Sequence, residues 1–388
     1  MKKLLINRNK LLLLTALFIV YVFMGWVITR TVEIIEDDRL LILTEHTGKF
    51  NPQLYEESKE IYKAAVDKYG SDEALAIQVN HDPVLWFHAF YNWFGTRVNR
   101  YWNGPENQDS GDILYPLQEK LKALENVNQA GSYEYRFYQK RLNTELAHGE
   151  PYLANVRFWV LYFKAFDATF VILLFMMALA FFIFLLFTQE VKTEMDSIIL
   201  CSEKGRREIA ATKLLSAGIT SAIIAAVYLL GHFIGIGIGC GDLSGFDTPI
   251  RSLSGFENAM LNVRAGEMAL ISSFWLIFVA LIFSLALALI SALSKYQSAV
   301  FGLGFVILMS GGMLNYLGGN AREILWPLID FNFSNMAMFN SIFGGKKIFK
   351  ILGTPVSYGA AAFILYVLLG ALACLLVFVA QKKRMVSQ

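Results

Sequence analysis

The stretch Met268–Leu293, MALISSFWLIFVALIFSLALALISAL, decides the fold class. It carries no charged residue and is long enough, as one helix, to cross a hydrocarbon core of roughly 30 Å. About five further runs, of about 19–26 residues, read the same way: Leu11–Thr29, Ala165–Phe187, Leu214–Ile238, Ala299–Leu317 and Tyr358–Ala380. The whole chain agrees. Apolar residues make up 55% and charged residues 17% of the sequence, against about 45–50% and about 25% in soluble domains. Mean hydropathy is +0.46. These runs predict an all-α integral membrane protein with six transmembrane helices.

The first run is too long for the apolar core of a secretory signal. Arg30-Thr-Val-Glu33, not a small-residue cleavage site, follows it. It is read as an uncleaved span. Lys and Arg flank the runs unevenly. Lys2, Lys3, Arg8 and Lys10 precede the first, Lys192 to Lys213 separate the second from the third, Lys295 links the fourth and fifth, and Lys382, Lys383 and Arg384 follow the sixth. With six spans these segments share one side, which places both termini in the cytoplasm of a cell-membrane protein. Lys346, Lys347 and Lys350 on the opposite side are a local exception.

Between the first two spans lies a long segment without Gly/Ser or Pro runs, read as a helical extracytoplasmic domain over 30–160. Residues 1–29 form the tail and first span, and 161–388 the remaining core. Gln53–Lys68 and Ile113–Leu146 show helical periodicity, the latter broken near Gly131. Asn51-Pro52 and Ser71-Asp-Glu73 are helix starts. Trp86, Phe87, Phe90, Tyr91, Trp93, Phe94, Tyr101 and Trp102 cluster in this domain, as its core or as a platform for the outer leaflet or an amphiphile. His81, His88 and His148 carry no assigned role.

Net charge is +2, which gives no single-sign field for nucleic acid. Cys201, Cys240 and Cys374 are scattered, so no disulfide framework is expected. The absence of CxxC and of paired histidines argues against a structural metal. Within the spans, Lys164 and Asp167 stand at i, i+3, as an ion pair snorkelling to the interface or as a substrate contact. Tyr228 and His232 lie four apart, facing a cavity together or packing as a pair. Gly231, Gly235, Gly237, Gly239 and Gly241 either let a neighbouring helix approach closely or mark where the helix unravels. Gly302, Gly304, Gly311 and Gly312 pose the same choice on the fifth span. Other intramembrane ionisable groups are scarce, which argues against a proton relay or an ion-coupled carrier.

Two segments outside clean spans carry the functional reading. Glu190–Lys213, EVKTEMDSIILCSEKGRREIAATK, is charged and helix-forming. Val191, Met195, Ile198 and Ile199 share one face, and a greasy stripe on a helix outside the bilayer needs a partner groove or the inner leaflet to cover it. Segment 320–345 is apolar but broken by Pro327 and Asp330, the pattern of an interfacial or re-entrant helix.

Together these features resemble an ABC-2 type permease, the membrane half of an ABC exporter. In loop 188–213, Glu190 and Glu194 lead into Ile198-Ile-Leu200, a small polar turn at Ser202–Gly205, then Arg206-Arg-Glu-Ile209. The resemblance implies that this is a coupling helix docked on a nucleotide-binding subunit, with Met195, Ile198 and Ile199 as its knob and Arg206, Arg207 and Glu208 fixing its angle. Trp326-Pro327 resembles the start of the family's outer re-entrant segment. The chain departs from the pattern at Thr193-Glu194, which stands where Gly-Thr is usual, in lacking the turn proline, and in its large outer segment.

The resemblance further implies a pair of permease chains, homo- or heteromeric, with a pathway between the second and fifth spans of each. Two separate ATPase subunits would supply ATP and Mg. The sequence has no GxxxxGK[ST] phosphate loop, and Gly344-Gly-Lys-Lys347 lacks its spacing, so no cofactor is expected on this chain and it is not itself an enzyme. The aromatic outer domain points to a peptide, lipid or amphiphilic cargo. A membrane sensor or scaffold, a membrane-embedded enzyme without HExxH or GxSxG, and an ATPase-independent carrier are the other classes considered.

Overall fold

A computed structural model describes residues 8–31, 42, 45–70, 72–102, 114–147, 152–153, 157–167, 169–192, 205–253, 256, 259–294, 301–308, 310, 329–345 and 347–383. The helices are α1 (Arg8–Thr31), α2 (Pro52–Tyr69), α3 (Asp72–His81), α4 (Pro83–Trp102), α5 (Leu114–Asn126), α6 (Tyr133–Ala147), α7 (Arg157–Asp167), α8 (Thr169–Lys192), α9 (Gly205–Cys240), α10 (Ala265–Leu293), α11 (Phe333–Ala337), α12 (Phe339–Phe343) and α13 (Tyr358–Lys383). Two antiparallel ribbons join them, β1 (Gly48–Lys49) with β2 (Tyr152–Leu153) and β3 (Ile348–Ile351) with β4 (Thr354–Ser357).

Among the described residues, four helices are each long and apolar enough to cross a membrane: Leu11–Thr31, Ala210–Cys240, Ala265–Leu293 and Tyr358–Ala380. Arg157–Phe166 and Phe170–Ile183 make a fifth if taken as one span broken by a 53° bend. The chain is an all-α membrane protein. In the expected fifth run, Ala299–Leu317, residues 301–308 are helical and most of the remainder lies outside the described residues.

The bundle is organised around α10, which packs against α8, α9 and α13. Trp275, Leu276, Val279, Ala280, Phe283 and Leu287 of α10 are all buried. Lipid tails are as apolar as these side chains, so close packing rather than escape from water must hold such helices together. At 36 residues α9 is about 54 Å long at 1.5 Å per residue. It outruns the hydrocarbon core, so its charged first turn extends past the apolar stretch.

The seam between α1 and α9 shows that packing at its closest. A Cβ on Gly235 would lie 2.1 Å from the Val22 carbonyl oxygen, one on Gly231 2.7 Å from Tyr21 Cβ, and one on Gly239 2.0 Å from Thr29 Oγ1. Gly25 faces them, and a Cβ there would lie 3.2 Å from the Gly235 Cα. The two sequence readings of these glycines divide by position. Gly231, Gly235 and Gly239 repeat every four residues and give α1 its approach, whereas Gly241 adopts φ +69 directly after the helix ends.

The described residues between α1 and α7 form three small apolar clusters. Tyr55, Phe87, Tyr91 and Leu153 form one, Ala65, Leu75 and Leu85 another, and Leu117, Leu121 and Leu142 the third. Asn51 caps α2 by accepting from the Gln53 and Leu54 amides, Pro52 fills the first helical position, and Gly70 closes the helix at φ 65. Ribbon β1–β2 pairs Gly48 with Leu153, so it ties the start of the helical segment to its end.

The aromatic cluster is in part a core. Phe87 and Tyr91 are buried in the first core, while Trp86, Phe90 and Phe94 are half-buried and Trp93 is exposed. Tyr91 Oη accepts from the Asn51 amide at 2.9 Å, and burial raises its pKa. His88 Nδ1 lies 2.9 Å from Ser58 Oγ, and burial lowers its pKa against the opposing charge of Glu57.

This helical segment sits on one end of the bundle. Arg136 donates to the Gly353 carbonyl at 3.0 Å, Lys140 to the Pro355 carbonyl at 2.9 Å, and Asn262 Nδ2 to the Ala147 carbonyl. Glu145 and Arg251 form a buried ion pair at 2.7 Å. The loop 241–264 and ribbon β3–β4 therefore share this end with the helical segment.

Candidate functional site

Among the described residues, the bundle holds a concentrated group of buried polar side chains. The glycine seam brings Tyr21 of α1 against Tyr228 of α9, ring centroids 5.0 Å apart and edge-on. One turn on, His232 lies 4.6 Å from the Tyr228 ring and 5.9 Å from that of Tyr21. Phe175 and Phe166 complete the shell at 4.8 and 6.1 Å from Tyr228. All three polar rings are essentially inaccessible. Neither hydroxyl and neither imidazole nitrogen has a hydrogen-bond partner among the described residues.

Such groups cost about 1–3 kcal/mol each when left unsatisfied. Most buried polar atoms in native proteins are paired, so an unpaired set calls for a reason. The two hydroxyls offer donors and acceptors, and the imidazole offers one of each, to any polar group that reaches the seam. Tyr228 and His232 do pack as a pair, as their spacing allowed, but without a hydrogen bond between them. Tyr21 was missed from sequence. The only local signal was Gly25 one turn beyond it, and nothing in a single sequence says which helix lies opposite.

Tyr228→Phe removes a buried hydroxyl with no partner. It is expected to leave the thermal midpoint of the detergent-solubilised protein unchanged or slightly raised, because no hydrogen bond is broken and a desolvation cost disappears. A clear fall in midpoint would mean that the hydroxyl is bonded in solution.

Lys164 is not part of this cluster. It is the exposed position in a run otherwise buried from Phe158 to Phe166, as expected for an aliphatic stem that carries its ammonium to the interface. Asp167 is the last residue of α7, and its side chain lies outside the described residues.

The apolar segment before the last span folds back into the bundle as α11 and α12. Asn332 caps α11 by accepting from the Asn335 amide at 2.9 Å. Trp275 Nε1 donates to the Met336 carbonyl at 2.8 Å, and Tyr366 donates to the Phe331 carbonyl at 3.2 Å. Tyr358 donates to the Asp330 carbonyl, and Lys347 pairs with the Asp330 carboxylate at 2.9 Å. Phe339 is buried among Phe163, Phe166, Phe256 and Phe343. Trp275 and Tyr366 thus satisfy backbone carbonyls in and beside α11. Trp326 and Pro327 lie outside the described residues.

Most of the loop singled out in the sequence also lies outside them. This holds for Glu194, Met195, Ile198 and Ile199. Glu190 belongs to the last turns of α8, and Arg206 and Arg207 to the first turn of α9, by backbone only. Glu208, also in that first turn, is exposed.

No family model, curated protein or solved structure matches this chain. Its geometry and its sequence carry the functional argument.

Proposed function

We propose that this chain is the membrane subunit of an ATP-driven exporter of the ABC-2 permease type, with six spans, both termini cytoplasmic and the helical segment over 30–160 outside the cell. The observation that carries the proposal is the re-entry of α11 and α12 into the apolar core just before the last span. The family resemblance implies a broken apolar hairpin at this point in the chain. A second support is the excess length of α9, whose first turn places Arg206, Arg207 and Glu208 beyond the apolar stretch.

In this reading a separate ATPase binds and hydrolyses ATP with Mg. Its movement enters through 188–213, where Met195, Ile198 and Ile199 fill a groove on the ATPase and Arg206, Arg207 and Glu208 orient the contact. A second permease chain completes the pathway, and the cargo is a peptide, lipid or other amphiphile. The Tyr21–Tyr228–His232 cluster supplies polar contact within a largely apolar bundle.

Purification from native membranes tests the proposal, because a stoichiometric ATPase subunit should accompany the chain. Ile198→Asp places a charge in the predicted apolar knob. It is expected to reduce transport-linked ATP hydrolysis at least about tenfold, since an unpaired charge in a desolvated contact costs several kcal/mol, while insertion stays intact. Coupled activity equal to wild type would defeat the assignment of the knob. Labelling of Ser202→Cys only from outside the cell would defeat the orientation.

A further inference from the structure

A groove of about 540 Å³ opens between α6 and the loop at Met260–Asn262, where the helical segment meets the bundle. Its walls include Tyr135, Arg136, Gln139, Lys140, Asn143 and Asn262. Arg136 and Lys140 stand one helical turn apart and so face the same way. No Asp or Glu is among the residues that line it. The groove is therefore cationic, with amides and hydroxyls set beside the apolar Ala130, Ala147 and Met260, and its volume falls in the range of about 300–1,000 Å³ typical of small-molecule sites.

We propose that this groove binds an oxyanion, either free phosphate or the phosphate of a lipid headgroup, between Arg136 and Lys140. Each cation gives one hydrogen bond to ribbon β3–β4, at Gly353 and Pro355. A guanidinium has five N–H donors and an ammonium three, so most of their donor capacity is left for a ligand. Guanidinium geometry matches phosphate in a bidentate fashion, and the lysine adds a point charge beside it. Gln139 and Asn143, joined at 2.9 Å, extend the polar wall along the same helix. Headgroup binding suits the place, because the groove lies at the end of the bundle where α10 and α13 begin. The ligand would rest on the same two side chains that hold the ribbon leading into α13. Occupancy would thus bear on the joint between the helical segment and the last helix.

The proposal does not depend on the transport reading, and its test needs no ATPase. The full chain in a non-ionic detergent is titrated with inorganic phosphate and, separately, with short-chain phosphatidylglycerol, and binding is followed by calorimetry. Wild type should bind at least one probe. Phosphatidylglycerol alone would identify a headgroup site, and phosphate binding a site for free anions. Arg136→Ala with Lys140→Ala should weaken binding roughly a hundredfold, about tenfold for each charge-assisted hydrogen bond removed. Because that pair also loosens the ribbon, Asn143→Trp serves as a second variant. It fills the groove from an exposed position while leaving both cations and both ribbon hydrogen bonds in place, and should weaken binding at least about tenfold by taking up the ligand's volume. Failure of wild type to bind either probe, or binding by Asn143→Trp as tight as wild type, would overturn the proposal.

Discussion

Gly235→Leu is expected to detach α1 from the bundle. The Cβ position of residue 235 is 2.1 Å from the Val22 carbonyl oxygen and 3.0 Å from the Trp26 amide nitrogen. Both obstacles are backbone, so no rotamer change relieves them and the helices must separate. Overpacking within a core costs typically about 1–3 kcal/mol, and an unyielding backbone contact places this case at the top of that range or above it. Helix α1 has little to compensate with. Leu11, Leu12, Ile19 and Phe23 are exposed, and its principal packing partner is α9. A thermal midpoint lower by many degrees, with loss of a disulfide cross-link engineered between α1 and α9, is the expected result. Gly237→Ala is the control. Its Cβ would meet only the far end of Leu243 at 3.3 Å and the Phe158 ring at 4.0 Å, so it should behave nearly as wild type. A normal cross-link in Gly235→Leu would mean that the seam is not the packing surface.

Much of the fold was legible because lipid imposes a simple rule. A helix that crosses a bilayer must satisfy its backbone internally and present apolar side chains for about 20 residues. Leu11–Thr31, Ala265–Leu293 and Tyr358–Ala380 obey it without interruption, and composition alone located them. The second run was harder. Arg157–Asp167 is an apolar helix too, but Arg157, Lys164 and Asp167 thin its hydropathy, so its bend into α8 left no mark in composition.

The candidate site was legible only in part, for a different reason. Tyr228 and His232 sit on one helix face, and spacing within a helix is local information. Their meeting with Tyr21 depends on which helices become neighbours, and a glycine repeat announces a close contact without naming the partner. The cationic groove was equally hidden. Arg136 and Lys140 become part of a groove only where the loop at Asn262 closes against their helix and the ribbon at Gly353–Pro355 accepts a hydrogen bond from each. Conversely, Asn51-Pro52 marked a helix start that the structure realises at that residue, because capping is chemistry confined to one turn.

Glu145→Ala is expected to free the helical segment from the end of the bundle. The Glu145 carboxylate lies 2.7 Å from the Arg251 guanidinium, with side chains only 5% and 14% exposed. Removing one partner of a buried pair costs about 3–5 kcal/mol, because the remaining charge keeps its desolvation penalty and loses its compensation. The other attachments at this junction include hydrogen bonds to backbone carbonyls from Arg136, Lys140 and Asn262, those of Arg136 and Asn262 exposed, and the Lys350 ammonium 4.9 Å from the Tyr133 ring. Bonds of this kind contribute about 0.5–3 kcal/mol each, the charged donors towards the upper end, so breaking the buried pair removes the largest single contribution to the junction. Limited proteolysis should then cut near 148–156 much faster than in wild type, while α10 and α13 stay protected. Glu145→Leu with Arg251→Met separates charge from shape. Replacing a buried ion pair by apolar side chains of similar size is often neutral or stabilising, so the double variant should recover most of the protection that Glu145→Ala forfeits. Proteolysis of Glu145→Ala at the wild-type rate would show that the junction does not depend on this pair.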